Sequence, residues 1–278
     1  MRKNAVVWVN WGNSQGELLR RSIASVESNI DADLFLISDV AIDVPPAVKT
    51  VLFSFQESGY SKKPEALAKC LPAGYETYLF LDADTVVLRD ISLGFDKAAQ
   101  FGIALAPAPT YLLDEYHLTG PIMERESIAL AGQLLYNSGV MFFSNRIQEN
   151  GLFERWLELC QKHQNTMRGD QEMLTIAMEI LGINPYCLSK SYNTRGRYEP
   201  IIGTTRIWHQ RSAVPPKIND FGTPYPPRIL ARGRLMQLRL KDTYGGGLMF
   251  FRRNLRLLAS FSSARFLLKK TFEARGEF

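Results

Sequence analysis

Residues Thr77–Ile91 read TYLFLDADTVVLRDI. Thr77–Leu81 is a short run of aromatic and branched apolar residues, the pattern of a strand buried on both faces. Two carboxylates, Asp82 and Asp84, come directly after it. Ligands of open α/β sheets bind outside the carboxyl ends of the strands, so these acids stand where a site is expected. Carboxylates this close repel and are costly unless solvated or bound to a cation. An extended backbone would send them to opposite faces, whereas a turn lets both face one site. Hard oxygen ligands of this kind suit Mg²⁺ or Mn²⁺, which also accept ligands from substrate phosphates. The plainer reading is a polar strand end in which Asp84 caps a following helix.

Upstream, Ala5–Asn10 (AVVWVN) is another apolar run ending in the polar turn Trp11–Ser14. From Gln15 to Asn29 apolar residues recur at helical spacing, with Ser14 and Glu17 placed as a capping box. Strands are expected at Leu34–Ser38 and Thr50–Phe55, and a helix at Lys62–Leu71 with Pro64 in its first turn. Downstream, Phe101–Ala106 and Gly139–Ser144 read as strands, and Asn150–His163 and Gln171–Leu181 as helices. This alternation implies an α/β sandwich around a mostly parallel sheet. From Ser189 to Pro227, Pro, Gly, Asn and Arg become frequent; recurring aromatics favour irregular structure packed over the sheet.

The chain has 278 residues, 46% hydrophobic and 22% charged, which excludes disorder and a small disulfide scaffold. Its net charge of +5 is unevenly spread. Residues 228–278 hold twelve Lys/Arg against three acids, a net +9, leaving −4 for residues 1–227. Domains are accordingly placed at 1–227 and 228–278. In the tail, Arg252, Arg253, Arg256, Lys269 and Lys270 alternate with Phe and Leu, the composition of an amphipathic helical extension on an anionic surface. No binding motif accompanies the charge, so nucleic acid is not expected as a partner. Cys70, Cys160 and Cys187 lack metal-ligand spacing and are read as buried, reduced thiols. No run is long enough for a membrane span or signal peptide, so a cytoplasmic location is expected, peripheral on the inner leaflet if the tail docks there.

Four segments in order resemble glycosyltransferase family eight of the GT-A fold, whose members are similar to glycogenin and to bacterial lipopolysaccharide galactosyl- and glucosyltransferases. YLFLDADTVVLRDI resembles the DxD segment, and Tyr136–Phe143 (YNSGVMFF) the "FNSGVMLF" strand. Gly169–Glu172 (GDQE) resembles the "DQ" helix start, and Trp208-His209 the late histidine of the metal site. The match spans roughly residues 5–215. One departure is that the histidine segment reads WHQRSAVPPK, without the family's glycine.

The resemblance implies a GT-A nucleotide-diphospho-sugar transferase fold and a metal-dependent hexosyltransferase. The donor it implies is a nucleotide-diphosphate sugar, a UDP-hexose by preference, and the acceptor a glycan, lipid-linked or lipopolysaccharide-type molecule. Asp82, Asp84 and His209 are implied as ligands of Mn²⁺ or Mg²⁺. Lys63 and Lys217 are implied at the diphosphate, Asn10 at the nucleoside, and Asn137 and Ser138 at sugar or acceptor hydroxyls. Asp170 and Gln171 are implied at the donor sugar, Gln171 on the ring's β-face. No carboxylate stands out as a general base, which fits a retaining, front-face mechanism. Asp170 also suits a helix N-cap, and His209 a buried or surface histidine.

Three alternatives remain open at this point. A haloacid dehalogenase-like phosphatase would use Asp82 as nucleophile in D-x-D-x-T, but that motif normally lies on the first strand. A sugar nucleotidyltransferase needs a Gly-rich basic loop after the first strand, which WGNSQGELLRR lacks. A sugar-binding relative without catalysis would keep the acids and His209.

Overall fold

The apolar runs fold as strands of one sheet. The computed structural model describes residues 4–113, 119–129, 133–167, 169–195 and 205–209. In chain order these form β1 (Asn4–Asn10), α1 (Gly16–Glu27), β2 (Asp33–Ser38), β3 (Val48–Leu52), α2 (Lys62–Cys70), β4 (Thr77–Leu81) and β5 (Thr85–Val87). Next come α3 (Ser92–Phe101), β6 (Ile103–Leu112), α4 (Thr119–Arg125), β7 (Leu134–Ser144), α5 (Asn145–Glu149) and α6 (Leu152–Lys162). The last are α7 (Gln171–Ile180), β8 (Tyr186–Cys187) and β9 (Ile207–His209). All described residues fall in the first of two units, residues 1–195 and 205–215. The expected tail at 228–278 and Lys217 lie outside the described residues.

The main sheet has the order β3-β2-β1-β4-β7-β6-β8. Four of its six neighbouring pairs are parallel, and β7 runs antiparallel to both β4 and β6. Both faces are covered, which explains why the strands are continuously apolar. Val7, Val9, Tyr78 and Phe80 face a layer built from α2, α6 and α7, including Leu67, Phe153, Trp156 and Leu174. Val6, Trp8, Leu79 and Leu81 face α1 and α3 through Leu19, Ile23, Val26 and Phe95. Each fully buried side chain of this size contributes about 1.5–3 kcal/mol.

Several boundaries differ from the sequence reading. Ser14 does not cap α1, which starts at Gly16 behind Gln15 with no side-chain cap bond. Phe101 ends a helix instead of starting a strand. Gly102, at φ +90°, closes α3 in a conformation that side chains rarely adopt, and only then does β6 begin. Cys160 is buried, but Cys70 is half-buried and Cys187, on the outermost strand β8, is exposed; all three thiols are free. No helix among the described residues is long and apolar enough to cross a membrane.

Ser22 sits on the apolar face of α1 for a polar reason. Its buried hydroxyl accepts Trp8 Nε1–H at 2.9 Å and bonds Thr85 Oγ1 at 3.0 Å. Ser25 Oγ accepts Val87 N–H at 2.9 Å. These bonds tie α1 to β5, the short strand that leaves the acidic turn.

Candidate functional site

At the carboxyl end of β4 the chain turns through Asp82-Ala83-Asp84 and enters β5, not a helix. Asp84 therefore has no helix to cap. The antiparallel register of β7 pairs Leu81 with Val140, which brings Asn137-Ser138-Gly139 alongside the turn. Asp82 N–H donates to Gly139 C=O at 2.8 Å.

His209 arrives from 125 positions downstream of Asp84 by a separate device. β9 pairs antiparallel with β5, Thr85 opposite His209. His209 N–H also donates to Thr194 C=O at 3.0 Å. The imidazole is buried, and its Nε2 lies 3.3 Å from Asp84 Oδ1 and 3.7 Å from Asp82 Oδ2. Among the described residues, Asp82, Asp84 and His209 offer ligand atoms within 4.8 Å of one another. Adjacent ligands about 2.1 Å from one octahedral cation lie about 3.0 Å apart, so these groups fit a shared divalent ion with little adjustment.

Gly139 makes that approach possible. A Cβ there would lie 2.5 Å from Asp82 Oδ2, 3.0 Å from His209 Nε2, and closer still to His209 Cε1. The ligands close over a bare Cα.

Lys63, in the first turn of α2, reaches the same cleft. Its buried ammonium pairs with Asp82 Oδ1 at 3.0 Å and Asp170 Oδ2 at 2.8 Å, and donates to Ser138 Oγ at 3.3 Å. Burial alone would push Lys63 down, but the two carboxylates outweigh it and hold the ammonium charged, above the usual lysine range. Asp170 occupies the N-cap position of α7 yet makes no side-chain cap bond. Its Oδ1 instead accepts Ser138 Oγ–H at 3.1 Å, and Trp156 Nε1–H donates to its carbonyl at 2.8 Å.

Three carboxylates (Asp82, Asp84, Asp170) against the Lys63 ammonium and the Arg195 guanidinium leave a net charge of −1 in the cleft, which favours a bound cation. For Asp84, burial pushes the carboxyl up, but the hydrogen bond and charge of His209, a backbone N–H and Arg195 outweigh it. Together they hold it down at about 2.

The cleft has a volume of about 370 Å³, within the range of small-molecule sites. It brings together Asn10, Lys63, Asp82, Asp84, Asn137, Ser138, Asp170, Gln171 and His209. Of the expected site residues only Lys217 is not placed, lying outside the described residues. Asn10 Nδ2–H donates to Gly12 C=O at 2.8 Å, and Gly12 N–H donates to Asp39 Oδ1 at 2.8 Å. With Gly12 at φ +63°, these bonds shape the turn after β1. Two residues of the site escape sequence reasoning. Arg195 lines the cleft, and buried Asn193 contacts both His209 and Asn137. The usable signal is the run Ser191–Thr194, polar by composition yet carrying Tyr192 in a stretch expected to pack on the sheet.

No protein-family model and no curated protein matches the sequence. Solved structures do resemble it. The glycosyltransferase GlyE of Streptococcus pneumoniae TIGR4 superposes with a TM-score of 0.54 at 16% identity, covering 82% of this chain and 59% of that one. Mouse xyloside xylosyltransferase 1, in its apo form, gives 0.53 at 14% identity, covering 77% of this chain and 100% of that one. The chain thus spans about three-fifths of the GlyE structure. These likenesses establish the fold as that of GT-A-like glycosyltransferases.

Proposed function

We propose that the chain is a metal-dependent glycosyltransferase, in the manner of family eight. It moves a hexose from a nucleotide-diphosphate sugar, UDP-linked, to a glycan or lipopolysaccharide-type acceptor with retention. The carrying observation is the convergence of Asp82, Asp84 and His209 with Asp170, Gln171, Asn137 and Ser138 in one cleft of a GT-A-like fold. GlyE is by name a glycosyltransferase and xyloside xylosyltransferase 1 a xylosyltransferase, which supports glycosyl transfer.

Asp82, Asp84 and His209 would hold Mg²⁺ or Mn²⁺. That ion would offset the negative charge that grows on the leaving diphosphate. Lys63 is committed to Asp82, Asp170 and Ser138, so its part is to hold the two acids in place between the metal end and the sugar end of the cleft. Arg195, which lines the cleft, and Lys217 are proposed contacts of the diphosphate. Asn10 and its turn receive the nucleoside. Asp170 and Ser138 bond sugar hydroxyls, and Gln171 faces the ring. Asn137 Nδ2–H donates to Gln171 Oε1 at 3.0 Å, which fixes that amide's orientation.

Each carboxylate lining the described cleft has a partner: Asp82 and Asp170 share Lys63, and Asp84 bonds His209. None stands as a spare base, which supports a front-face mechanism in which the leaving phosphate accepts the acceptor's proton. A phosphatase reading fits less well, because Asp82 has one oxygen on Lys63 and the other beside His209. The basic residues 228–278 are proposed as a second unit that docks the enzyme on an anionic inner leaflet near its acceptor. Liposome flotation with and without those residues tests this, equal recovery arguing against it.

Incubation with UDP-hexoses and Mn²⁺ is expected to release UDP slowly, and D84A to abolish metal-dependent donor binding. Turnover of a generic phosphatase substrate with no nucleotide-sugar binding by calorimetry would refute the reading. A panel of nucleotide sugars in thermal unfolding then identifies the donor.

A further inference from the structure

We infer that Asn193 is a positioning residue: by accepting a hydrogen bond from His209 Nδ1–H it orients the ring so that Nε2 is the atom turned to Asp82 and Asp84. The backbone N–H of Gly139 can only donate, and it donates to Asn137 Oδ1 at 3.0 Å. That settles the orientation of the Asn137 amide. The same Oδ1 lies 2.8 Å from Asn193 Nδ2, which must therefore be the NH₂ end. Asn193 Oδ1 is left facing His209 Nδ1 at 2.8 Å, and an amide oxygen can only accept. A ring proton thus sits on Nδ1. Nε2 is then the ring atom left facing Asp84 Oδ1, at 3.3 Å.

Every member of this relay is buried: Asn137, Asn193 and His209 are each 3–4% exposed. Water therefore cannot easily replace a lost partner. The relay also branches. With its oxygen taken by Gly139 and Asn193, Asn137 has only its NH₂ for Gln171 Oε1. One backbone N–H in β7 thereby orients both the imidazole at the metal end of the cleft and the amide at the sugar end. Partners of this kind behind a ligating histidine typically matter about 10- to 100-fold in metal affinity. The consequence for metal affinity rests on the proposed cation site; the Nδ1–H bond itself does not.

Two measurements on the full chain test the inference. The chain has three histidines, so imidazole ¹⁵N–¹H spectra of the metal-free protein are resolvable, with the His209 signals assigned by their loss in H209Q. The wild type is expected to show a persistent His209 Nδ1–H signal. N193L, similar in shape but without an acceptor, is expected to lose it. N193D, which keeps an acceptor for Nδ1–H, is expected to retain it. Calorimetry with Mn²⁺ alone, and with Mn²⁺ plus UDP, is expected to show affinity about 10- to 100-fold weaker in N193L and nearer the wild type in N193D. A wild-type His209 without a persistent Nδ1–H overturns the inference, as does an N193L that keeps both that proton and the affinity. If N193L does not fold, the wild-type spectrum and N193D decide. A wild type that binds no Mn²⁺ in either condition defeats the cation site, while the Nδ1–H result still decides the relay.

Discussion

Replacing Gly139 by Ala is the sharpest single perturbation of the site. The added methyl would sit 2.5 Å from Asp82 Oδ2 and 3.0 Å from His209 Nε2. Carbon needs about 3.5–4.0 Å from a non-bonded heavy atom, so each ligand must retreat by roughly 1–2 Å, the imidazole because its Cε1 lies closest of all. Moving either breaks a contact: His209 is bonded behind by Asn193, and Asp82 is paired with Lys63. Gly139 lies within regular strand β7 and is not among the positive-φ glycines, so backbone strain does not contribute. The nearest contacts of the added methyl are with the two ligands. The stability cost is expected at about 1–3 kcal/mol, the range for overpacking a filled interior. Displacing catalytic groups by about 1 Å costs about 10²-fold in rate, which is the loss expected in kcat/KM. Mn²⁺ calorimetry, UDP release from UDP-hexoses and urea unfolding are read together. A folded G139A with wild-type Mn²⁺ affinity and turnover would show that these two side chains do not converge on one ion.

Removing the Lys63 ammonium with K63M strips buried Asp170 of its ion-pair partner and part-exposed Asp82 of one of its own, a loss of about 3–5 kcal/mol in urea unfolding. A loss under about 1 kcal/mol would mean that Asp170 is solvated, contrary to its burial. S22A removes the acceptor of Trp8 Nε1–H and the partner of Thr85. It is expected to cost about 1–3 kcal/mol while Mn²⁺ affinity stays at the wild-type value, and a matching loss of metal binding would place Ser22 in the site. Glu65 is buried; burial pushes its carboxyl up, but the N–H groups of Glu57 and Gln56 with Lys69 outweigh it and hold it below the usual 4.5. A depressed folded value means its contribution is present above 4.5 and lost as pH falls through that lower value. The stability gap between wild type and E65Q is therefore expected to be largest near neutral pH and to shrink below 4.5; a constant gap across urea titrations refutes the assignment.

The elements most legible in the sequence are those whose signal is local. Thr77–Leu81 can be read with its observed bounds because a strand buried on both faces must be apolar throughout. α2, α6 and α7 can be read to within a few residues because their apolar faces repeat at helical spacing. α3 is not legible, and Phe101 passes for strand, because one glycine at positive φ separates helix from strand there and its conformation leaves no trace in composition. The short strands β5 and β9 escape notice for a related reason: three-residue strands have little local signal and find their ladder partner in each other, across more than a hundred positions.

By itself, then, the sequence determined the chemistry on offer: two carboxylates at a strand end, an Asn-Ser-Gly strand, an Asp-Gln helix start and a late histidine. Those residue types had to be present because only they carry the donors such a site requires. Tertiary structure decided which atom faces which. The antiparallel β4–β7 register sets Gly139 beside Asp82, and the β5–β9 pair delivers His209 to Asp84. The same packing turns Asp170 away from its helix toward Lys63, and lines up Gly139, Asn137, Asn193 and His209 as one chain of donors and acceptors. These are pairings between residues far apart in sequence. They are fixed by sheet register and by the cost of leaving a buried polar group unmatched, and neither quantity exists until the chain has folded.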